Sequence, residues 1–298
     1  MKLNSMTAAD FVSLKLTPRG KIIEPFLPER GLAEIYARTG VGKTTFALTL
    51  ATGVALGEDF KTWRINRPWN VLYIDGEMST NEMQERVDAA ARYFGKDPNQ
   101  IKTLRLLCHD QQERGLPDIG DEDGQLWFQP DIDWAELIFL DNISCLWWTG
   151  RENDADSWSI IQHWLLKLRA SGKTIVMLHH SGKNGSSRGT SRRHDVLDTV
   201  IKLERPFNYT QQEGAKFEVH FEKARGFAGD DAEPTGLSHT IEEGISCWDH
   251  FMIGLEKAQE VAELLKQGIT QIEVAKQLGI SQAEVSRRRA LAAANKLI

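Results

Sequence analysis

A chain of 298 residues is long enough for one α/β core of about 200 residues and a small appendage. Its formal net charge of −6 excludes a uniformly basic nucleic-acid coat, so any nucleic-acid contact has to be local. The three cysteines, Cys108, Cys145 and Cys247, form no C-x-x-C pair, which argues against zinc sites and disulfides and for a reducing, cytoplasmic setting; no run of about 18 apolar residues suggests a membrane span, and no signal peptide is expected.

Residues 1–30, broken by Pro18, Pro25 and Pro28, read as an irregular lead-in that packs on the core or on a neighbouring subunit. The run Leu32 to Tyr36 reads as a buried strand, and Phe46 to Leu56, rich in Ala and Leu, as a helix. Between them lies Ala-Arg-Thr-Gly-Val-Gly-Lys-Thr-Thr, residues 37 to 45. Strand, glycine loop, lysine and helix form the context of a phosphate-binding loop. Thr39, Gly40, Val41, Gly42, Lys43, Thr44 and Thr45 are the expected nucleotide contacts. Backbone N–H groups and the helix N-terminus face the phosphates. Lys43 is to reach the β- and γ-phosphates of ATP, and the Thr44 hydroxyl is to hold Mg²⁺. One departure is Ala37, where the loop pattern has its first glycine.

Val71 to Asp75 reads as a second buried strand, followed by a helix from about Thr80 to Tyr93 capped by Ser79 or Thr80. Glu77 falls just past that strand end, where ligands sit in open α/β sheets, and is a candidate base for the attacking water. Leu104 to Leu107 reads as a short strand, and the polar residues 109–130 as a long loop or hairpin. Leu137-Ile-Phe-Leu-Asp141 is a buried strand closing on an acid, the Walker B pattern, with Asp141 in the Mg²⁺ shell. In the following loop Trp147 and Trp148 cannot both enter one core face; exposure of one, for stacking, and packing of both under the next helix stay open.

A helix from about Ala155 to Ala170 carries Ile160, Ile161, Trp164, Leu165 and Leu168 at helical spacing. The strand Thr174 to Leu178 then closes on His179-His180, and His180 is a candidate sensor of the γ-phosphate. Ser181 to Arg193 is rich in Gly and Ser and carries Lys183, Arg188, Arg192 and Arg193 with no acid; it suits a mobile loop contacting single-stranded DNA. Val196 to Glu204 and Lys216 to Lys223 read as further strands, with weak β pattern continuing to about Trp248.

The succession A-R-T-G-V-G-K-T-T, Y-I-D-G-E, I-F-L-D, L-H-H-S-G-K, S-R-G-T-S and E-K-A-R-G resembles the RecA-fold ATPases, and within them the plasmid replicative helicase RepA family, over about residues 30 to 250. The resemblance implies that Glu77 activates water and that Asp141 supports Mg²⁺. It also implies that Lys223 and Arg225 reach across a subunit interface to a neighbour's γ-phosphate, in a ring or filament, most simply a hexamer.

The last segment departs from that pattern. Glu256 to Lys266 reads as a helix, and Ala275, Gly279 and Val285 have the spacing of a helix-turn-helix. Ser281 caps a second helix bearing Gln282, Ser286, Arg287, Arg288 and Arg289, of which Gln282, Ser286, Arg287 and Arg289 are the expected contacts to duplex DNA. The sequence therefore predicts three parts: a lead-in over 1–30, a RecA-like P-loop core with an open, mostly parallel sheet over 31–250, and a small all-α helix-turn-helix tail over 256–298. The expected activity is ATP hydrolysis coupled to DNA, as a hexameric replicative helicase of a mobile element. The alternative is a non-translocating, ATP-switched DNA-binding regulator or helicase loader. A small-metabolite kinase is disfavoured by the absence of a lid-like or acceptor motif.

Overall fold

The computed structural model describes residues 5–148, 155–182, 191–206 and 209–298. The lead-in is more ordered than its prolines suggest. A short helix α1 (Ala8–Val12), capped by the Thr7 side chain, lies wholly exposed. Strands β1 (Lys21–Ile23) and β2 (Leu27–Pro28) then pair antiparallel. They form because Ile22, Ile23, Phe26 and Leu27 bury on the core. Arg19 fastens the segment, its two guanidinium nitrogens reaching the Asp198 carboxylate at 3.1 and 3.0 Å.

The core alternates strand and helix as the sequence predicts. Strand β3 (Leu32–Ala37) leads into α2 (Lys43–Leu56), and β4 (Val71–Asp75) into α3 (Thr80–Tyr93), with β5 (Leu104–Cys108) next. The expectation of a long loop or hairpin over 109–130 fails. Helices α4 (Glu122–Trp127) and α5 (Gln129–Trp134) form there, the first capped by Asp121 and the second starting with Pro130 in its first turn. Strand β6 (Leu137–Asp141), the single-turn α6 (Ile143–Leu146), α7 (Ala155–Ala170) and β7 (Thr174–His180) follow. His179 and His180 thus extend the strand instead of opening the loop.

Strands β8 (Thr199–Glu204), β9 (Ala215–Ala224), β10 (Thr235–Glu242) and β11 (Ile245–Phe251) complete the sheet. Among the described residues it has nine strands in the order β11-β10-β9-β8-β3-β7-β6-β4-β5. The six from β8 to β5 run parallel, and β9 to β11 antiparallel. β3, β4 and β6 are buried at every position, as parallel strands covered on both faces must be. One face packs Ile35, Tyr73 and Phe139 against Phe46, Leu50 and Val54 of α2. The other packs Leu32, Leu72, Ile138 and Ile175 against Ile161, Trp164, Leu165 and Leu168 of α7. Trp248 ties β11 to α2, its indole N–H donating to Thr49 Oγ1 at 3.2 Å.

Three helices close the chain: α8 (Leu255–Lys266), α9 (Gln271–Leu278) and α10 (Gln282–Ala294). Thr270 and Ser281 cap α9 and α10, and Gly279 turns between them at φ 65°. Val261, Val274, Ala275 and Val285 form a small core of their own. No helix of the described residues is long and apolar enough to cross a membrane.

Candidate nucleotide site

Five parallel strands end at one edge of the sheet, where register sets Ala37 beside His180, and Asp75 beside both Asp141 and Cys108. The phosphate loop rises from β3 at that edge. Gly40 and Gly42 adopt φ of 76° and 114°, and a Cβ on Gly42 would meet the Ala215 Cβ at 2.9 Å and the Phe217 ring at 3.2 Å. Arg205 braces the loop from outside, donating to the Gly40 carbonyl at 2.8 Å. Ala37, where the pattern has glycine, lies in β3 before the turn and is buried.

Lys43 opens α2 with its ammonium buried and no acceptor at hydrogen-bond distance; the nearest carboxylate oxygen, Asp141 Oδ1, stands 3.9 Å away. Burial lowers its pKa, opposed by Asp141 and Glu77. Asp141 is buried too, and burial raises its pKa against the pull of Lys43, the Tyr73 hydroxyl and the Thr44 hydroxyl. Its Oδ2 accepts from Tyr73 at 2.6 Å, while Oδ1 has no hydrogen-bond partner. A buried cation and a buried carboxylate oxygen, both without hydrogen-bond partners beside a hydroxyl, form a donor set that fits a phosphate chain with a divalent ion.

Glu77 lies beyond β4, half exposed, and accepts from Asn142 Nδ2. His180 Nε2 is 3.7 Å from the same Glu77 oxygen and 3.2 Å from Asn142 Nδ2, and His180 Nδ1 is 3.5 Å from Thr39 Oγ1. The structure thus brings Thr39, Lys43, Thr44, Glu77, Asp141 and His180 together at one strand edge.

It also adds residues that sequence reasoning passed over. Asn142 and Tyr73 are two. Asp75 is a third: burial pushes its pKa up to about 7, although Oδ2 accepts from the Met78 N–H at 2.8 Å. Arg86 is a fourth, donating to Thr45 Oγ1 at 3.0 Å from α3. It lines a cavity of about 510 Å³ together with Thr45, Thr49, Gly214, His239 and Ser246. Burial, then Arg86, lowers the His239 pKa to about 4. The only sequence signals were an acid closing the β4 run for Asp75 and a cation on a helix beside the site for Arg86.

Other expected residues lie elsewhere. Lys223 is level with Val200 and hence with Glu34, three residues or about 10 Å before β3 reaches the loop. Arg225 lies further still, its backbone N–H on Asp198 O at 2.9 Å. Both therefore sit toward the end of the sheet remote from the chain's own Lys43. Lys223 Nζ donates to the His194 carbonyl and, at 3.3 Å, to that of Asp195, which Arg225 also reaches at 3.5 Å.

Of the expected single-strand contacts, Lys183, Arg188 and the side chain of Arg192 lie outside the described residues. Arg193 corrects the sequence reading. It is buried in a 3-10 turn, Ser191–Val196, with its guanidinium 4.2 Å from the Trp158 ring centre, so it is core and not a DNA contact. Trp147 is buried against Trp158, and Trp148 is exposed. In α10, Gln282, Ser286 and Arg289 share an exposed face, whereas Arg287 turns aside to Glu284 at 2.5 Å.

Comparison with known families matches residues 1–186 to the family described as AAA domain. The chain belongs to the AAA domain family. Among solved structures, this AAA-domain protein is similar to the flagellar accessory protein FlaH from Methanocaldococcus jannaschii, at 13% identity over 76% of this chain and 91% of that one, with a TM-score of 0.51. It is also similar to a KaiC-like protein from Pyrococcus horikoshii OT3, at 15% identity over 78% and 99% of the two chains, with a TM-score of 0.53. At such identities the likeness is one of fold. No curated protein matches the chain. Family and fold together support a P-loop ATPase of the RecA-like class.

Proposed function

We infer that this AAA-domain protein hydrolyses ATP at sites shared between copies of itself and couples the cycle to DNA. The carrying observation is the division of one catalytic set along one sheet. Lys43, Thr44, Asp141, Glu77 and His180 converge at one end, and Lys223 and Arg225 stand toward the other. Thr44 and Asp141 would hold Mg²⁺, which stabilises charge on the phosphates when bound. Lys43 neutralises the phosphate chain, Glu77 takes the proton of the attacking water, and the cavity beside Thr45 and Arg86 receives the nucleoside. Lys223 and Arg225 serve the next copy, in a ring of the size the RepA resemblance implies, a hexamer.

DNA enters this reading through the tail. A capped helix, a glycine turn and a second capped helix support a helix-turn-helix, and the exposed face of Gln282, Ser286 and Arg289 suits a duplex groove. Lys183, Arg188 and Arg192 would meet single strands. A replicative helicase of a mobile element is the reading this combination supports best, and the self-contained tail favours an ATP-switched regulator or loader as the second.

The test measures ATP turnover and forked-DNA unwinding for the wild type, Lys43→Ala and a chain ending before residue 255. Turnover should vanish in Lys43→Ala with circular dichroism unchanged. Truncation should weaken duplex binding at fixed salt and spare basal turnover. Turnover surviving in folded Lys43→Ala would sink the ATPase reading; turnover without unwinding would leave the regulator.

A further inference from the structure

Asn142 directly follows Asp141, and its side chain is fully buried. Its amide orientation is set by a group that can only donate: the Cys145 backbone N–H reaches Asn142 Oδ1 at 3.1 Å, capping α6. Nδ2 therefore faces the site. One of its hydrogens goes to Glu77 Oε2, and the other faces His180 Nε2 at 3.2 Å.

A neutral imidazole has one N–H and one acceptor nitrogen. Because Asn142 Nδ2 can only donate, His180 Nε2 has to accept, and the ring proton resides on Nδ1. That proton lies toward Thr39 Oγ1 in the phosphate loop, 3.5 Å away. Neutrality of the ring is favoured by burial and by Lys43, both of which lower the His180 pKa. A continuous chain thus runs from the loop through His180 and Asn142 to Glu77. Glu77 itself is half exposed, so its packing does not hold it in one rotamer.

We propose that Asn142 is the positioning residue of the catalytic base, holding Glu77 by one amide hydrogen and fixing His180 as the Nδ1–H tautomer by the other. The proposal rests on the reading of Glu77 as the base of ATP hydrolysis. An unheld carboxylate would sample rotamers out of line with the water, and misplacement of about 1 Å costs about 10²-fold in rate.

Asn142→Asp is the informative substitution. It keeps the shape and the oxygen that caps Cys145, and it replaces both donors with an acceptor. Asn142→Ser is its companion, keeping a capping hydroxyl on a side chain too short to reach Glu77. Three measurements apply: ATP affinity by calorimetry, single-turnover hydrolysis, and the ¹⁵N shifts of the histidine rings, with His180 assigned through His180→Gln. We expect ATP affinity within about threefold of the wild type, hydrolysis slower by about 10²-fold in both variants, and a wild-type His180 signal of the Nδ1–H form that shifts toward Nε2 protonation in Asn142→Asp, whose carboxylate can only accept there, and becomes mixed in Asn142→Ser.

A wild-type His180 protonated on Nε2 overturns the proposal whether or not ATP is hydrolysed. So does either folded variant turning over within threefold of the wild type. Should Asn142→Asp not fold, Asn142→Ser and the wild-type tautomer decide. Absence of wild-type turnover sinks the ATPase reading and the base role with it, whereas normal wild-type turnover with indifferent variants sinks the positioning role alone.

Discussion

The Tyr73 hydroxyl donates to Asp141 Oδ2 at 2.6 Å, where neither residue meets solvent. Two neighbouring parallel strands thereby share one hydrogen bond across the candidate metal site. Tyr73→Phe removes the donor and leaves a buried carboxylate oxygen unpaired, at a cost of about 1.5–3 kcal/mol. Burial already raises the Asp141 pKa and the Tyr73 hydroxyl opposes that rise, so its loss moves the pKa further up. Urea unfolding should show the lower stability, and the acid limb of ATP turnover should move to higher pH. An unchanged midpoint and an unchanged profile would show the bond to be incidental.

Asp75 gives a pH dependence of opposite sense to that of most carboxylates. Its folded pKa is about 7, against 3.8 for an ordinary aspartate. Between those values the folded chain holds a proton that the unfolded chain has released. Stability from this group is therefore present at low pH and declines as pH rises from about 4 to 7, by at most about 1.4 kcal/mol per pH unit. Asp75→Asn should remove that decline. Denaturant titrations of both proteins at pH 5 and pH 7 compare the slopes, and parallel slopes would refute it.

What the sequence disclosed, and what it withheld, follows the range of the interactions. The phosphate loop, Glu77 and Asp141 were legible because each is a local pattern at a strand end. Helices α4 and α5 escape a sequence reading although Asp121 and Pro130 mark their starts. Leu126 and Trp127 are exposed there, so no apolar stripe announces a helix. Asn142 was beyond reach, since its partners Glu77 and His180 are 65 and 38 residues away in the chain. Arg193 deceives for the same reason: a basic run looks solvated until Trp158 arrives from α7 to cover it.

That correction is itself testable. Arg193→Ala removes a desolvated cation–π interaction of about 2 kcal/mol and opens space beside Trp158. It should lower the unfolding midpoint and leave the salt dependence of single-strand DNA binding unaltered. The pair Lys183→Ala and Arg188→Ala should behave inversely, flattening the log–log salt slope by about 0.7 for each phosphate no longer neutralised and sparing stability. A salt slope altered by Arg193→Ala at unchanged stability would return that residue to the DNA surface.

Lys223 and Arg225 carry the shared-site reading to its sharpest test. Both are held near the end of β9 by the carbonyls of His194 and Asp195, and burial together with Arg225 lowers the Lys223 pKa. The register leaves them several residues short of their own phosphate loop, so a role in hydrolysis has to be exercised on another copy. A cation supplied in that way to a γ-phosphate contributes about 10³–10⁵ in rate. Arg225→Ala should then bind ATP nearly normally and turn it over poorly, and Lys43→Ala should fail at its own site while still offering a sound Arg225 to its neighbour. Mixed after subunit exchange, the two inactive proteins create one kind of interface that is complete, and part of the activity should return. Turnover per wild-type subunit should also fall on dilution toward the monomer. If exchange is demonstrated by fluorescence transfer, mixing restores nothing, and wild-type turnover is indifferent to dilution, each chain completes its own site and the pair has another task.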